Sequence, residues 1–273
     1  MVELFEQDIK SANRQSSKGN QLKWNNNGKW YKADYSGYEG LAEYVVSNLL
    51  LKSSLSKDEC VQYSQEQISY RRTVFNGAVS DTFVKSGWQI ITLERLFKTK
   101  FNQSFYEATW RIADVSERFK FICSQVKSMT GLDEFDLYLA RLLTIDAIFL
   151  NEDRHMHNIA VMMNSRQEFG YCPVFDNGAC LLSDTTMDYP LGEDIMELMK
   201  ECKAKTISAD FDEQLETAEK ICPDTIRFTF TQKDAEDIIM NAKYYTEQEK
   251  ERVLTIIYQQ MRKYSYLFGG NNE

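Results

Sequence analysis

Apolar residues follow two different spacings in the first hundred positions. Segment 37–51 has apolar side chains at helical intervals, which predicts an amphipathic helix. Segments 30–33, 74–84 and 88–93 are rich in β-branched and aromatic residues and predict strands. The polar stretch 10–29 ends in Asn-Asn-Asn-Gly, which is typical of a loop or hairpin turn. This part of the chain is therefore predicted to form a sheet with one helix.

From about residue 104 the pattern is mainly helical, with an apolar face between residues 135 and 147. Ile159–Met163 and Tyr171–Phe175 predict two short strands around a polar turn. Thr246 and Glu249 form a T-x-x-E capping box that predicts the start of a further helix. We expect an α+β protein with a small sheet-containing lobe (residues 1–96) and a larger, mostly helical lobe (residues 97–273), with the boundary near residues 94–104.

Composition and charge narrow the range of functions. The 273 residues are 43% hydrophobic, enough for a substantial core, and 32 basic against 41 acidic residues give a net charge of −9. This balance argues against direct nucleic-acid binding and against docking on anionic membranes. No apolar run is long enough to span a bilayer, and the six cysteines have no CxxC spacing. We expect a cytoplasmic protein with reduced thiols; export as an effector stays open.

The chain has only two histidines, His155 and His157, and they are two residues apart. This excludes an HExxH zinc site and a C2H2 finger of the usual spacing. Any histidine that takes part in catalysis must therefore come from this one segment.

Polar residues on both sides of the predicted hairpin indicate a phosphoryl-transfer site. If Met163 lies opposite Tyr171, the same register places Asn158 opposite Asp176, close to Asp153. An amide and a carboxylate suit Mg²⁺, which commonly binds one or two carboxylates together with phosphate oxygens. A further carboxylate outside the metal shell can orient a hydroxyl group or take its proton.

Two motifs in this region resemble a known family. Asp153-Arg154-His155-x-x-Asn158 followed by Phe175-Asp176-Asn177-Gly178 is similar to the catalytic loop and metal motif of HipA-like kinases, especially the small Ser/Thr kinases of the CtkA type. The D-R-H-x-x-N string also occurs in phosphatidylinositol 3-kinase-related enzymes. The resemblance implies a two-lobed protein-kinase-like fold. It also implies that Asp153 contacts the acceptor hydroxyl, that Asn158 and Asp176 hold Mg²⁺, and that His155 faces the γ-phosphate.

A kinase also needs a strand lysine paired with a helix glutamate to hold the α- and β-phosphates of ATP. Lys32 lies in the predicted strand 30–33, and the helix that follows offers Glu39 and Glu43. Taken alone, Lys32 would be interpreted as an exposed strand lysine. We favour Glu43 as its partner, because the run that follows Glu43 resembles the family's helix, but the sequence leaves both open.

The phosphate loop and the hinge are the other expected parts of an ATP site. There is no GxGxxG; instead Ser16 and the residues that follow it form a small polar loop with one glycine, whose expected phosphate contacts are Ser17, Lys18, Gly19 and Asn20. The family resemblance implies autophosphorylation of a loop serine, here Ser16 or Ser17. Segment 92–97 resembles the family's hinge, where backbone groups of Glu94 and Leu96 would bind adenine.

The sequence therefore predicts a phosphotransferase, an ATP- and Mg²⁺-dependent Ser/Thr protein kinase of HipA-like type. Its expected partners are ATP, a protein substrate bearing Ser or Thr, and an antitoxin-like protein. One alternative is a lipid or small-molecule kinase. Another is a non-catalytic nucleotide- or partner-binding module of a toxin–antitoxin system. The presence of Lys32, Asp153, Asn158 and Asp176 together favours an active enzyme.

Overall fold

A computed structural model describes residues 1–9 and 21–269, which divide into two compact units. The first unit comprises Met1–Phe83, Phe175–Cys202 and Arg227–Glu273, and the second comprises Val84–Val174 and Lys203–Ile226. These units are interleaved along the chain, whereas the predicted lobes 1–96 and 97–273 are each continuous. The assignment of functional lobes stays a prediction.

The described residues contain both helices and strands, in agreement with the predicted α+β class. The strands are β1 (Val2–Glu3), β2 (Lys23–Asn26), β3 (Lys29–Ala33), β4 (Ser64–Tyr70), β5 (Thr73–Asp81), β6 (Trp88–Thr92), β7 (Ala160–Asn164) and β8 (Phe169–Tyr171). The helices are α1 (Glu39–Leu50), α2 (Leu93–Phe101), α3 (Phe105–Trp110), α4 (Val115–Thr130), α5 (Phe135–Phe149), α6 (Ile195–Glu201), α7 (Phe211–Ile221), α8 (Gln232–Met240) and α9 (Glu247–Lys263). Within the part of the chain that the structure describes, no helix is both long and apolar enough to cross a membrane.

The first unit is built on a five-stranded sheet with the order β1-β4-β5-β3-β2. Strands β2 and β3 form a hairpin whose turn, Asn27-Gly28, has positive φ at both residues, as a tight hairpin turn requires. Trp24 and Tyr31 are cross-strand partners that pack in one buried cluster. Because side chains alternate along a strand, the neighbouring pair Lys23 and Lys32 lies on the opposite face of the hairpin.

Helix α1 approaches this sheet through two glycines. A Cβ atom on Gly40 would lie 2.6 Å from the backbone of Gly77 on β5, which is closer than real Cβ contacts. A Cβ atom on Gly77 would collide with the carbonyl oxygen of Lys32 on β3. Larger residues at either position would therefore push the helix or the neighbouring strand away. This close packing brings the helix next to the strand that carries Lys32.

Asp34 fixes the start of α1. Its Oδ1 accepts a hydrogen bond from the Gly40 amide at 2.5 Å, and its Oδ2 accepts one from the Tyr245 hydroxyl at 2.9 Å. Burial, together with the nearby Glu39 carboxylate, raises the pKa of Asp34 from 3.8 to about 8. The carboxyl group is therefore largely protonated at neutral pH in the folded protein.

We expect the free energy of unfolding to fall as the pH rises from about 4 through 8. The folded state holds a proton on Asp34 that the unfolded chain releases, and one such group contributes at most ~1.4 kcal/mol per pH unit. Asp34→Asn removes the titration, so the fall should be smaller in this variant. Urea unfolding at pH 5, 6.5 and 8 measures it, with the exposed Asp81→Asn as the control. Equal slopes for Asp34→Asn and the wild type would contradict the assignment.

The second unit combines a three-stranded sheet, β6-β7-β8, with helices α2 to α5 and α7. The predicted register of its β7–β8 hairpin is wrong by two residues, because Val161 and not Met163 lies opposite Tyr171. The Asn164 side chain accepts hydrogen bonds from the amides of Arg166 and Glu168, and closes a shorter turn than expected. The pairing of Asn158 with Asp176 therefore does not follow from this hairpin.

Helix α5 leads directly into the D-R-H segment. Its apolar face is buried as predicted, including Phe135, Leu139 and Leu143. The helix ends at Leu150, which has left-handed backbone angles, and the amide of Asn151 donates to the carbonyl oxygen of Asp146. This termination turns the chain sharply just before Asp153.

Candidate active site

In the first unit, Lys32 connects two acidic residues that are far apart in sequence. Its Nζ donates to Glu43 Oε1 on α1 and, at 2.6 Å, to Asp176 Oδ1. The other oxygen of Glu43, Oε2, accepts a hydrogen bond from the Asn177 amide at 2.9 Å. Glu43 therefore binds both the strand lysine and the segment after Phe175. We refer to Lys32, Glu43 and Asp176 as the lysine cluster.

Burial and charge act in opposite directions on the lysine. Burial alone would lower the pKa of Lys32, but the Asp176 and Glu43 carboxylates outweigh it and hold that pKa well above its ordinary value. The ammonium group also lies 5.1 Å from the centroid of the Tyr63 ring, within the range of a cation–π contact. Lys32 is therefore a charged ammonium group that the protein almost completely encloses.

The structure assigns different contacts to the two candidate glutamates. Glu39 accepts hydrogen bonds from the backbone amides of Tyr35, Ser36 and Gly37, so its carboxylate satisfies the turn before α1. Glu43, one turn later, contacts Lys32. The preference for Glu43 as the lysine's partner agrees with this geometry, while its part in catalysis stays a prediction.

Lys23 lies beside the lysine cluster and is not among the predicted site residues. It lies directly opposite Lys32 in the β2–β3 hairpin, and its Nζ is 3.6 Å from Asp176 Oδ1. Two ammonium groups therefore flank the same carboxylate oxygen. The signal that could have revealed Lys23 is the hairpin itself, because residues paired across an antiparallel hairpin share a face.

In the second unit, the D-R-H segment folds back on itself around Asn158. The side-chain nitrogen of Asn158 donates to Asp153 Oδ2 and to the Asp153 carbonyl oxygen, both at 2.8 Å. The Asn158 amide donates to the His155 carbonyl oxygen at 2.7 Å. One oxygen of the Asp153 carboxylate is thus fixed by the asparagine four residues after Arg154.

Arg154 has an architectural role in this segment. Its Nε lies 3.2 Å from both carboxylate oxygens of Asp146 on α5, and both side chains are buried. A second donor, Nη1, contacts the Asn158 carbonyl oxygen at 3.3 Å. Burial raises the pKa of Asp146 to about 6, although Arg154 acts to lower it. Arg154 therefore ties the loop that carries Asp153 to the preceding helix.

His155 lies beside the other oxygen of Asp153. Its Nε2 is 3.6 Å from Asp153 Oδ1, and its Nδ1 accepts a hydrogen bond from the His157 amide at 3.2 Å. Burial lowers the pKa of His155, and the nearby Asp153 carboxylate only partly opposes this effect. The imidazole is therefore neutral at pH 7, and the contact at Nδ1 places its proton on Nε2.

Lys205 also approaches Asp153, and nothing in the sequence singled it out. Its Nζ is 3.8 Å from Asp153 Oδ1, the same oxygen that His155 faces. Lys205 is 52 residues after Asp153 and belongs to no motif, so only the folded chain brings the two side chains together. The carboxylate of Asp153 is thus held by an amide on one oxygen and flanked by two basic side chains on the other.

No protein-family model matches the chain, and no curated protein matches it. One similar solved structure is HipA from the Shewanella oneidensis MR-1 toxin–antitoxin complex with HipB and operator DNA, with a TM-score of 0.48, 11% identity, and coverage of 93% of this chain and 66% of that chain. Another is the Helicobacter pylori proinflammatory kinase CtkA, with a TM-score of 0.61, 15% identity, and coverage of 89% of this chain and 90% of that chain. The chain has the fold of CtkA. The predicted resemblance is confirmed for the fold.

Two predicted parts of the ATP site, the phosphate loop and the hinge, are not established by this CtkA-like fold. The expected phosphate loop (Ser17, Lys18, Gly19 and Asn20, with Ser16) lies outside the described residues. Glu94 and Leu96 belong to α2 rather than to a strand end. The Glu94 amide donates to the Met156 carbonyl oxygen at 3.0 Å, and its carboxylate accepts a hydrogen bond from the Tyr106 amide. A role of Glu94 and Leu96 in binding adenine stays a prediction.

The predicted magnesium ligands, Asn158 and Asp176, belong to different units. Among residues 1–9 and 21–269, no group of three or more histidine, cysteine or acidic side chains is arranged to hold a metal ion. The two hydrogen bonds that Asn158 makes to Asp153 use its amide nitrogen, and its amide oxygen is the atom suited to a cation. A carboxylate and an amide oxygen are each suited to Mg²⁺, which binds few protein ligands and completes its shell with water and phosphate. Binding of one ion by both residues stays a prediction.

Proposed function

We propose that the protein is an ATP- and Mg²⁺-dependent Ser/Thr protein kinase that also phosphorylates itself. The observation that carries this proposal is the lysine cluster, in which a buried, charged Lys32 connects Glu43 on a helix with Asp176. An enclosed ammonium group between two carboxylates is the arrangement that kinases use to hold the phosphates of a nucleotide. The CtkA-like fold supports the same function.

In this proposal the lysine cluster binds the nucleotide. Lys32 contacts the α- and β-phosphates, and Glu43 keeps its side chain oriented. Asp176 and Asn158 would hold Mg²⁺, which supplies positive charge to the phosphates during transfer. Since Lys23 approaches Asp176 from the neighbouring strand, it adds a second positive charge beside the expected position of the phosphates.

The D-R-H segment acts on the acceptor in this proposal. Asp153 orients the acceptor hydroxyl and takes its proton, a contribution of about 10²–10⁴-fold in rate. The geometry supports this role, because Asn158 fixes one carboxylate oxygen and leaves Oδ1 on the side of His155. His155, neutral with its proton on Nε2, is a hydrogen-bond donor beside the same oxygen. An antitoxin-like protein partner stays a prediction from the sequence.

Incubation with γ-labelled ATP and Mg²⁺ tests the proposal. We expect label on Ser or Thr of the protein itself or of a generic acceptor such as casein. Asp176→Asn should lose this label, because the substitution removes the carboxylate charge that contacts Lys32 and that is proposed to hold Mg²⁺. Asp188 is an exposed acidic residue that follows Asp176 in the first unit. Asp188→Asn is therefore the matched control and should keep the label. Chelation of Mg²⁺ with EDTA should also remove the label. ATP binding without any transfer by the wild type would refute a kinase and favour a non-catalytic nucleotide-binding module.

A further inference from the structure

The loop of residues 203–210 is held rigidly by helix α7. The side-chain oxygen of Gln214, which is almost completely buried, accepts hydrogen bonds from three consecutive backbone amides. These belong to Thr206, Ile207 and Ser208, at 3.2, 2.8 and 3.2 Å. One buried glutamine thus satisfies three donors that would otherwise be unpaired inside the protein. These three hydrogen bonds constrain the backbone of residues 206–208, next to Lys205.

The same loop is fastened to the segment that carries Asp153. The hydroxyl of Thr206 donates to the Arg154 carbonyl oxygen, and Arg118 on α4 donates to the Ile207 carbonyl oxygen at 2.7 Å. Arg154 is in turn fixed by Asp146 on α5. Thr206, which follows Lys205, is therefore hydrogen-bonded directly to Arg154, which follows Asp153.

Lys205 contrasts with Lys203, its neighbour in the same loop. Lys203 is exposed, whereas Lys205 is half-buried with its ammonium group 3.8 Å from Asp153 Oδ1. The D-R-H motif itself contains no lysine, so the positive charge beside Asp153 Oδ1 comes from a distant part of the chain. We propose that Lys205 is a positioning residue of the phosphotransfer site, which orients the Asp153 carboxylate through its Oδ1 atom.

The contacts of Asp153 explain why such a residue is useful. Asn158 holds Oδ2 by one hydrogen bond, and a carboxylate can rotate about its side-chain bonds unless its second oxygen is held as well. A charged contact at Oδ1 restricts this rotation. Small errors in the position of a catalytic group are costly, since a misplacement of about 1 Å can reduce the rate by about 100-fold. The inference rests on the proposed kinase function, because it concerns how Asp153 is held for that reaction.

Steady-state kinetics of the full chain test this role. We expect Lys205→Ala to lower kcat by about 10- to 100-fold. The KM for ATP, and the affinity for ATP measured by calorimetry, should stay near the wild-type values, since Lys205 lies by Asp153 and not in the lysine cluster. Lys205→Arg should restore most of kcat, because it returns the positive charge. Lys203→Ala is the matched control and should leave kcat unchanged.

Each alternative outcome overturns the proposal in a recognisable way. If Lys205→Ala has the kcat of Lys203→Ala, Lys205 does not position Asp153, although the kinase function stands. A loss of thermal stability and ATP affinity that parallels the loss of kcat, without rescue by arginine, would show a structural role only. Lys205→Met keeps the apolar stem and serves if the alanine variant does not fold. A wild-type protein that transfers no phosphate overturns the proposed function and the role of Lys205 together.

Discussion

We expect Asp153→Asn to lower phosphoryl transfer by roughly 10²–10⁴-fold and to leave the fold intact. The rate falls because an amide cannot accept the proton of the acceptor hydroxyl as a carboxylate does. The fold survives because the substitution is isosteric, and the asparagine oxygen can still accept the hydrogen bond from the Asn158 side chain. The ion pair with Lys205, at 3.8 Å, is lost and the contact with neutral His155, at 3.6 Å, is weakened, but both stabilise the protein little.

Measurement of kcat for the transfer of labelled phosphate, together with circular dichroism and the melting temperature, separates the two effects. Asp133→Asn is the matched control, since Asp133 is an exposed acidic residue of the same unit that pairs with Lys127. It should keep wild-type turnover. Turnover of the wild-type magnitude by Asp153→Asn would remove Asp153 from the mechanism. Loss of the melting transition would instead show that Asp153 is needed for folding.

Lys32→Met is expected to destabilise the protein by about 3–5 kcal/mol as well as to abolish ATP binding. The substitution removes the cation that neutralises Glu43, which is 1% exposed. Because a buried carboxylate without its cation is costly, the penalty exceeds the value of the ion pair itself. Lys29→Met on the same strand is the control. Its partner Asp81 is exposed, and such surface pairs contribute at most about 1 kcal/mol.

The double variant Lys32→Met/Glu43→Gln distinguishes stability from function. Glutamine keeps an oxygen that accepts the hydrogen bond from the Asn177 amide and removes the buried negative charge. We expect the double variant to regain much of the lost free energy of unfolding, measured in urea, while it still fails to bind ATP. The single variant Glu43→Gln completes the comparison. If the double variant loses as much free energy of unfolding as Lys32→Met and Glu43→Gln lose together, Lys32 and Glu43 are not energetically coupled.

Local patterns were sufficient for most of the elements near the site. Helix α1 and the capping box of Thr246 and Glu249 form as predicted, because each depends on residues within a few positions of one another. Of the two alternatives for the polar stretch 10–29, its end forms the hairpin turn, but strand β2 within that stretch was not predicted. The choice between Glu39 and Glu43 could not be made in this way. The two are four residues apart and share one helix face, and only the neighbouring strand decides which contacts Lys32.

Other features depend on particular side-chain hydrogen bonds, which periodicity does not encode. The register of β7 and β8 was predicted two residues out because the side chain of Asn164 closes a tighter turn than the polar stretch indicated. Lys205 has no motif around it, and its position depends on Gln214, nine residues later, which fixes the loop. The D-R-H motif could thus be recognised in the sequence, whereas the contacts of Lys205 and Gln214 could not.

Two residues of the lysine cluster are far apart along the chain, and this distance decides when the cluster can form during protein synthesis. Asp176 lies 144 residues after Lys32, so the two can meet only after the chain as far as Asp176 has been made. Contacts of such long range form late in folding, because a large loop must close before they contribute free energy. A nascent chain on the ribosome, even with its β2–β3 hairpin and α1 in place, therefore lacks the carboxylate that completes the cluster. Under the proposed function, the growing polypeptide stays inactive until Asp176 has left the exit tunnel.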